Sequence, residues 1–168
     1  MQTLALDGAA AAEFGNQVHA LLAEVESRAT ADLTAWARRG LPDAVVSEAQ
    51  ACVSAAQLAE VWNRETGVEV WRERAFEIVL DGAWIAGAFD RVLVGRDRDG
   101  RATWARIFDF KTERVPNPSR VGDAVRRHSG QLNLYRRVAA VLTGLPPSEI
   151  ACELIFTHEG LRVNVPPS

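Results

Sequence analysis

The sequence predicts an α/β (α+β) fold in which helices flank a mixed sheet with a central three-strand meander. Apolar residues recur at helical spacing in the first third of the chain and alternate at strand spacing in much of the remainder. The length of 168 residues suits one domain. We therefore expect a single domain over 1–168, with a helical part at about 1–66 and a sheet-and-helix part at about 67–168.

Two segments of the first part are expected to be helical. Residues 9–27 carry an apolar stripe at helical spacing, formed by Phe14, Val18, Leu21, Leu22 and Val25. Residues 44–63 are rich in alanine and are expected to form a second helix. Gly40 to Asp43 marks the break between them.

The second part predicts three strands, a helix and two further strands. The strands of the meander are expected at 68–80, 84–94 and 103–111, with a hairpin turn at Asp81-Gly82. A helix follows at about 120–143, with Ser129-Gly130 as a candidate interruption. The last strands are expected at 150–157 and 161–165.

The charge distribution shows one local excess of arginine. The net charge is only −3, so bulk basicity gives no sign of nucleic acid. Residues 114–137, however, contain six arginines against the single acid Asp123. Such a strip can attract a polyanion, although charge alone favours an ordinary solvated helix face.

The two cysteines and the apolar runs exclude several classes of protein. Cys52 and Cys152 are isolated, so we expect neither a cysteine-based zinc site nor an iron–sulfur cluster. The segment from Met1 to Asp7 lacks a secretory pattern, and no run approaches the length of a membrane span. We expect a cytoplasmic location and no membrane partner.

Lys111 is the only lysine among nineteen basic residues. An ammonium group is a compact charge that can lie beside a metal ion or a water, whereas a guanidinium is broad. Asp109, two residues earlier on a predicted strand, projects from the same face, and Phe108 and Phe110 project from the other. Chance and an ordinary surface salt bridge are the competing explanations.

Asp90 is a second acid within an apolar strand. Strict alternation predicts that it shares a face with Ala86, Ala88, Val92 and Val94. If its strand pairs with the next as a hairpin, Asp90 and Asp109 come close, and a divalent cation would relieve their repulsion. Oxygen ligands favour Mg²⁺ or Mn²⁺. In the alternative, the strands are out of register and each acid is solvated separately.

Five short motifs lie on the predicted elements in a fixed order. They are GxxxH at Gly15 to His19, ExxF at Glu73 to Phe76, GxxD at Gly87 to Asp90, D-[YF]-K-T at Asp109 to Thr112, and QxxxY at Gln131 to Tyr135. In this order the chain resembles the RecB-like branch of the PD-(D/E)XK nucleases, which includes the nuclease domains of RecB and AddA. The resemblance implies a restriction-endonuclease-like fold. It implies either the C-terminal exonuclease domain of a UvrD-type repair helicase or a stand-alone exonuclease, and the start just before the GxxxH helix favours the former.

The resemblance also implies roles for the matched residues. His19, Asp90 and Asp109 would ligate Mg²⁺ or Mn²⁺ together with the backbone carbonyl of Phe110, and Asp90, Asp109 and Lys111 would be catalytic. The remaining matched residues, Glu73, Gln131 and Tyr135, would support the site or contact DNA. We expect Arg126 and Arg127, within the arginine strip, to contact backbone phosphates.

The implied function is metal-dependent hydrolysis of DNA, as an exonuclease on single-stranded ends in recombination or double-strand break repair. No Walker A loop is present, so a helicase would have to come from the parent polypeptide or a partner subunit. One alternative is a catalytically silent domain of the same fold that binds DNA or a partner protein. Another is a purely structural domain that contacts no nucleic acid.

Overall fold

The computed structural model describes residues 3–167, so Met1, Gln2 and Ser168 of the expected domain lie outside the described residues. The α-helices are α1 (Thr3–Glu24), α2 (Asp43–Ser54), α3 (Ala59–Trp62) and α4 (Pro118–Thr143). The strands are β1 (Val68–Leu80), β2 (Ala83–Arg96), β3 (Ala102–Lys111), β4 (Ile150–Phe156) and β5 (Leu161–Asn164). Short 3₁₀ turns occupy Leu33–Arg38, Ala56–Leu58 and Pro147–Glu149.

The five strands form one mixed sheet in the order β1-β2-β3-β4-β5. The first three form an antiparallel meander, β3 and β4 are parallel, and β5 returns antiparallel to β4. The parallel pair is possible because α4 supplies the long crossover that such a connection needs. The predicted mixed sheet with a central meander and flanking helices is confirmed.

Both faces of the sheet are covered, and neighbouring residues of the central strands point into different cores. On the face covered by α4 the core includes Val92, Ile107 and Leu154. On the face covered by α1, α2 and α3 it includes Leu93, Phe108 and Ile155. The end of β3 is therefore held from both sides, which gives a rigid base for the polar side chains at that end.

Two predicted helices differ from the structure. The single helix expected at 44–63 is wrong, because Ala55 adopts an extended backbone with ψ 124° and separates α2 from α3. This bend allows Leu58 and Trp62, both fully buried, to pack in the same core as Val53. The predicted helix at 9–27 begins earlier, at Thr3, and ends earlier, at Glu24.

The candidate interruption of α4 at Ser129-Gly130 is also wrong, since α4 is continuous over 26 residues. A mid-helix glycine costs only about 1 kcal/mol relative to alanine, and the buried apolar face of α4 outweighs that cost. The side chain of Asn117 caps the start by accepting from the backbone N–H of Arg120. Gly144 ends the helix in the left-handed conformation, with φ 74°.

Arg91 joins the helical part to the sheet. Its side chain is buried and donates to the backbone carbonyls of Val61 at 2.7 Å, Val25 at 2.6 Å and Glu26 at 2.9 Å. The guanidinium also lies 4.8 Å from the Trp62 ring centroid. A planar fork with several donors is suited to this position, where three carbonyls at helix ends converge.

Within residues 3–167, none of the helices combines the length and the apolar character that crossing a bilayer requires.

Candidate metal centre

β2 and β3 separate at the polar end of β3. Their ladder ends with the pair Arg91 and Phe108. Beyond it, Oδ2 of Asp90 accepts a hydrogen bond of 2.7 Å from the backbone N–H of Phe110. A side chain thus satisfies the backbone donor that the departing strand leaves unpaired. The same contact fixes the Asp90 carboxylate beside the end of β3.

The side chains of the β1–β2 hairpin alternate between the two faces of the sheet. This alternation reverses at the level where the β2–β3 ladder ends. Trp71 and Phe76, an odd and an even residue of β1, both pack in the core on the α4 face. Glu73, which lies between them, has φ 42°, an uncommon backbone conformation for a residue other than glycine. Irregular strand positions of this kind re-aim side chains next to functional sites.

This reversal corrects the expected surroundings of Asp90. Strict alternation placed Ala86 and Ala88 on one face with Val92 and Val94. In the structure Ile85, an odd-numbered residue near the start of β2, packs toward the α4 face. Later in the strand, the even-numbered residues Val92 and Val94 pack toward that face. Ala86 and Ala88 therefore lie on the opposite face from Val92 and Val94, and Asp90 lies at the point of reversal.

His19, Glu73 and Asp90 form a cluster whose candidate ligand atoms all lie within 4.8 Å of one another. His19 comes from the middle of α1, and its Nδ1 lies 3.6 Å from Oδ1 of Asp90. The ring also meets Phe110 edge-on, with centroids 6.0 Å apart. Glu73, expected only to support the site, belongs to the cluster itself.

The cluster carries more negative charge than its neighbouring groups compensate. Burial works to lower the pKa of His19, but the contact with Asp90 and the charges of Glu73 and Asp109 outweigh it and raise that pKa. Partial burial and the charge of Asp90 raise the pKa of Glu73, while His19 opposes the shift. Both shifts indicate excess negative charge in one place.

Asp109 and Lys111 form a buried pair beside this cluster. Lys111 Nζ lies 2.6 Å from Oδ2 of Asp109, and the Asp109 side chain is only 4% exposed. Apart from this ion pair, no described residue donates a hydrogen bond to Oδ2. Burial and the neighbouring Asp90 raise the pKa of Asp109, and Lys111 opposes them. The salt bridge is therefore not the exposed surface pair that the competing explanation required.

Helix α4 forms the wall opposite α1. Gln131 lies within reach of Lys111, with 3.5 Å from Nζ to its Oε1, and it donates to the Tyr135 hydroxyl at 3.0 Å. Tyr135 packs edge-on against Phe76 and Phe89. Gln131 and Tyr135 thus link the ammonium group of Lys111 to the aromatic core.

The glycines of two motifs allow close packing around the site. A Cβ at Gly15 would lie 3.1 Å from Oγ1 of Thr112, so glycine lets α1 approach the end of β3. A Cβ at Gly87 would lie 2.8 Å from the ring of Phe76.

The arginine strip does not form one surface. Arg136 is buried and donates to the backbone carbonyls of Ile150 and Val165, so it is a structural residue. Arg126 pairs with Asp123, and Arg127 pairs with Glu113. The proposed contacts of Arg126 and Arg127 with phosphates stay predictions.

Two residues near the site were missed by the sequence analysis. His128 of α4 lies 2.6 Å, from its Nε2, from Oε1 of Glu113, and its charge is felt at Asp109. His128 lies three residues before Gln131 and seven before Tyr135, so a shared helix face could have indicated it. Glu113 follows the end of β3, and no periodicity applies there.

The residues present fit a divalent cation. Two carboxylates and one imidazole converge in the cluster, and Asp109 lies close enough for the charge of Asp90 to raise its pKa. Mg²⁺ and Mn²⁺ accept such a donor set. Oδ2 of Asp109 is buried, and Lys111 is its close partner among the described residues, so the carboxylate keeps lone pairs for a cation. The expected role of the Phe110 carbonyl as a ligand stays a prediction.

The protein combines a mixed sheet, an acid–lysine pair at the end of one strand and a histidine–carboxylate cluster beside that pair. This combination is typical of the class of metal-dependent nucleases. A family profile described as the PD-(D/E)XK nuclease superfamily matches residues 3–164. The chain belongs to the PD-(D/E)XK nuclease superfamily. A comparison with curated proteins gave no match.

Proposed function

We propose that the chain hydrolyses phosphodiester bonds in DNA with Mg²⁺ or Mn²⁺, as an exonuclease on single-stranded ends. The observation that carries this proposal is the convergence of His19, Glu73 and Asp90 beside the buried pair Asp109 and Lys111. Membership of the nuclease superfamily supports it. The RecB-like order of motifs supports the narrower assignment to recombination or double-strand break repair together with a helicase.

The bound cation would be held by Asp90 and Asp109, with His19 and Glu73 as further donors on the side of α1 and β1. When bound, it would polarise a phosphoryl oxygen and lower the pKa of an attacking water. The protein contributes rigidity, because Asp90 is fixed by the amide of Phe110 and Asp109 by its burial and its pairing with β4.

Lys111 would position the reacting groups. Its ammonium lies between Asp109 and Gln131, and its side chain is 18% exposed, so solvent and substrate can reach it. From there it can donate hydrogen bonds to a phosphate oxygen and to the attacking water. As charge develops on the phosphate, a fixed cation in a poorly hydrated site stabilises it.

We propose single strands as the substrate because the RecB-like order of motifs implies them, and the site has protein on two sides. Its acids are walled by α1 on one side and α4 on the other. A shallow hollow of about 320 Å³, lined by Asn16, His19, Ala20 and Glu73, leads to the cluster from one side. The two free, buried cysteines are in keeping with action in a reducing compartment such as the cytoplasm.

The test is a cleavage assay with Mg²⁺ or Mn²⁺ on linear single-stranded, circular single-stranded and duplex DNA. We expect linear single strands to be degraded, and Lys111→Met to reduce the rate by about 100-fold or more. Arg98→Met, in the exposed β2–β3 turn, is the matched control and should leave the rate unchanged. Equal cleavage by wild type and Lys111→Met would reject the assignment.

Calorimetric titration with Mn²⁺ separates the nuclease from the silent alternative. The proposal requires binding that Asp90→Asn or Asp109→Asn abolishes. Retained binding of DNA without any binding of Mn²⁺ would favour a silent domain of the same fold.

A further inference from the structure

A second polar site lies beyond the end of β3, on the side of the sheet covered by α1 and α2. It is a cavity of about 370 Å³ with apolar walls from Phe14, Ala44 and Ala51 and polar groups from Glu48, Arg114 and His158. Arg114 follows Lys111 by three residues, a span of at most about 10 Å. The backbone carbonyl of Lys111 also accepts from the amide of Thr157, at 3.0 Å. The cavity is thus adjacent to the metal centre but shares no ligand with it.

A buried carboxylate organises the polar side of the cavity. The side chain of Glu48, in the middle of α2, is only 8% exposed. It accepts a hydrogen bond of 2.5 Å from the hydroxyl of Thr157, and its other oxygen lies 3.6 Å from Nδ1 of His158. Burying a carboxylate is costly unless it has polar partners. Here the partners are the hydroxyl of Thr157 and the imidazole of His158, which the carboxylate in turn holds in place.

The imidazole in turn fixes Arg114. A guanidinium N–H of Arg114 donates to Nε2 of His158. Nδ1 of the ring lies on the side of Glu48. The immediate partner of Arg114 is therefore an imidazole nitrogen, and no acid among the described residues pairs with Arg114 directly.

The partner of Arg114 differs from the partners of three other exposed arginines, which each pair with a carboxylate. Arg126 pairs directly with Asp123, Arg127 with Glu113, and Arg137 with Asp81. An arginine held by an imidazole nitrogen, and not by a carboxylate, keeps its remaining donors for a ligand. The planar fork suits a phosphate.

We propose that this cavity binds one nucleotide of the strand, next to the nucleotide at the metal centre. Arg114 binds the phosphate, and the apolar wall formed by Phe14, Ala44 and Ala51 receives the base, with Phe14 providing an aromatic surface for it. His158 and Glu48 are positioning residues that hold Arg114. This inference rests on the proposed function, since it takes the strand being cut as the ligand.

The first experiment measures binding without cleavage. A short fluorescent oligothymidylate is titrated with the full chain in EDTA at several salt concentrations. We expect Arg114→Ala to weaken binding by about 10-fold at low salt and to reduce the salt slope by about one phosphate contact. Arg98→Ala removes an equal charge in the exposed β2–β3 turn and should have little effect. Equal losses in the two variants would overturn the proposal, because they would show only non-specific attraction.

Two further variants keep the test independent of folding defects. Arg114→Lys keeps the charge and should recover part of the affinity, and His158→Ala should weaken binding because it removes the group that holds Arg114. The thermal unfolding midpoint of each variant is measured beside its affinity. A loss of affinity that follows the unfolding midpoint, and not the loss of the guanidinium, would contradict a binding role for Arg114.

The second experiment addresses the base. Oligonucleotides with a single abasic residue at successive positions from one end are compared in the same binding assay. With wild-type protein one position should weaken binding by about 5- to 150-fold, the typical loss for one base stacked on an aromatic ring. Phe14→Leu, which keeps an apolar wall without the ring, should remove this dependence. Binding that is indifferent to every abasic position would overturn the base-binding part.

The experiments distinguish a failure of the proposed nucleotide site from a failure of the proposed nuclease function. If wild type shows the Arg114 dependence in EDTA but never cleaves DNA with Mn²⁺, the nucleotide site stands and the nuclease assignment falls. If wild type cleaves and Arg114→Ala changes neither its binding nor its KM, the nuclease stands and the nucleotide site falls.

Discussion

Oδ2 of Asp90 accepts a hydrogen bond of 2.7 Å from the backbone N–H of Phe110, and its Oδ1 lies 3.6 Å from Nδ1 of His19. One carboxylate therefore both completes the backbone pairing where β2 leaves β3 and contributes to the candidate metal cluster. These two roles can be separated, because an amide oxygen can accept the hydrogen bond without carrying the charge.

We expect Asp90→Asn to fold with a stability within about 1 kcal/mol of wild type and to lose Mn²⁺ binding. Asp90→Ala should lose both, with a cost of about 1–3 kcal/mol because the buried amide of Phe110 is left unpaired. Urea unfolding in EDTA and calorimetry with Mn²⁺ measure the two effects. Equal stability of the two variants would contradict the structural role of the carboxylate.

Arg91, the neighbour of Asp90, should be intolerant of lysine. A single ammonium cannot reach the three carbonyls of Val61, Val25 and Glu26 from one position, and at least one would be left buried without a donor. We expect Arg91→Lys to destabilise the protein by about 3 kcal/mol, by urea unfolding. Arg72→Lys, at the exposed neighbouring position of β1, is the control and should cost far less. Similar costs for both would show that the convergence of carbonyls on Arg91 is not important.

Part of the site could be predicted because it depends on local periodicity. Asp109 and Lys111 are two residues apart on a strand, so their shared face follows from the pleat. Gln131 and Tyr135 are four residues apart on a helix and do interact, at 3.0 Å. The mixed sheet followed in the same way from the change of period along the chain.

The rest depends on tertiary geometry that no local pattern encodes. The position of Glu73 in the cluster follows from one backbone angle, φ 42°, which reverses the alternation of β1. The bend at Ala55 follows from the burial of Leu58 and Trp62, not from a helix-breaking residue. The contact between Glu48 and Thr157 joins residues 109 positions apart. Each requires the packed structure.

Two glycines should respond to alanine in opposite directions. At Gly87 the added methyl group would lie 2.8 Å from the ring of Phe76, which is itself packed against Phe89 and Tyr135. We expect Gly87→Ala to cost about 1–3 kcal/mol through overpacking. At Gly130, in the middle of α4, a Cβ would meet no atom within 4 Å. Gly130→Ala should therefore stabilise the protein by about 0.5–1 kcal/mol.

Thermal and urea unfolding of the two variants check this pair of expectations. If Gly130→Ala were destabilising, the continuous geometry of α4 at the site of the sequence-predicted interruption would be wrong. If Gly87→Ala were neutral, Phe76 would have to be free to move away from β2.

Glu113 makes the stability of the folded protein depend on pH, and the direction follows from its lowered pKa. Burial works to raise its pKa, but the hydrogen bond with His128 and the charges of Arg127 and His128 outweigh it, so the pKa of Glu113 lies below 4.5. A carboxyl with a lowered pKa in the folded protein contributes stability above its unfolded pKa and loses it as the pH falls through the folded value. Because the side chain is 35% exposed, the contribution is screened by solvent and should be under about 1 kcal/mol.

We therefore expect Glu113→Gln to be slightly less stable than wild type at about pH 7. The difference should shrink toward about pH 3, because the contribution is lost as the pH falls through the folded pKa of Glu113. Urea unfolding of metal-free protein at the two pH values gives the difference. Glu77→Gln, on the exposed outer part of β1, is the matched control and should show little difference at either pH. A stability difference for Glu113→Gln that persists unchanged in acid would mean that Glu113 acts through its size or hydrogen bonding, and not through its charge beside Arg127 and His128.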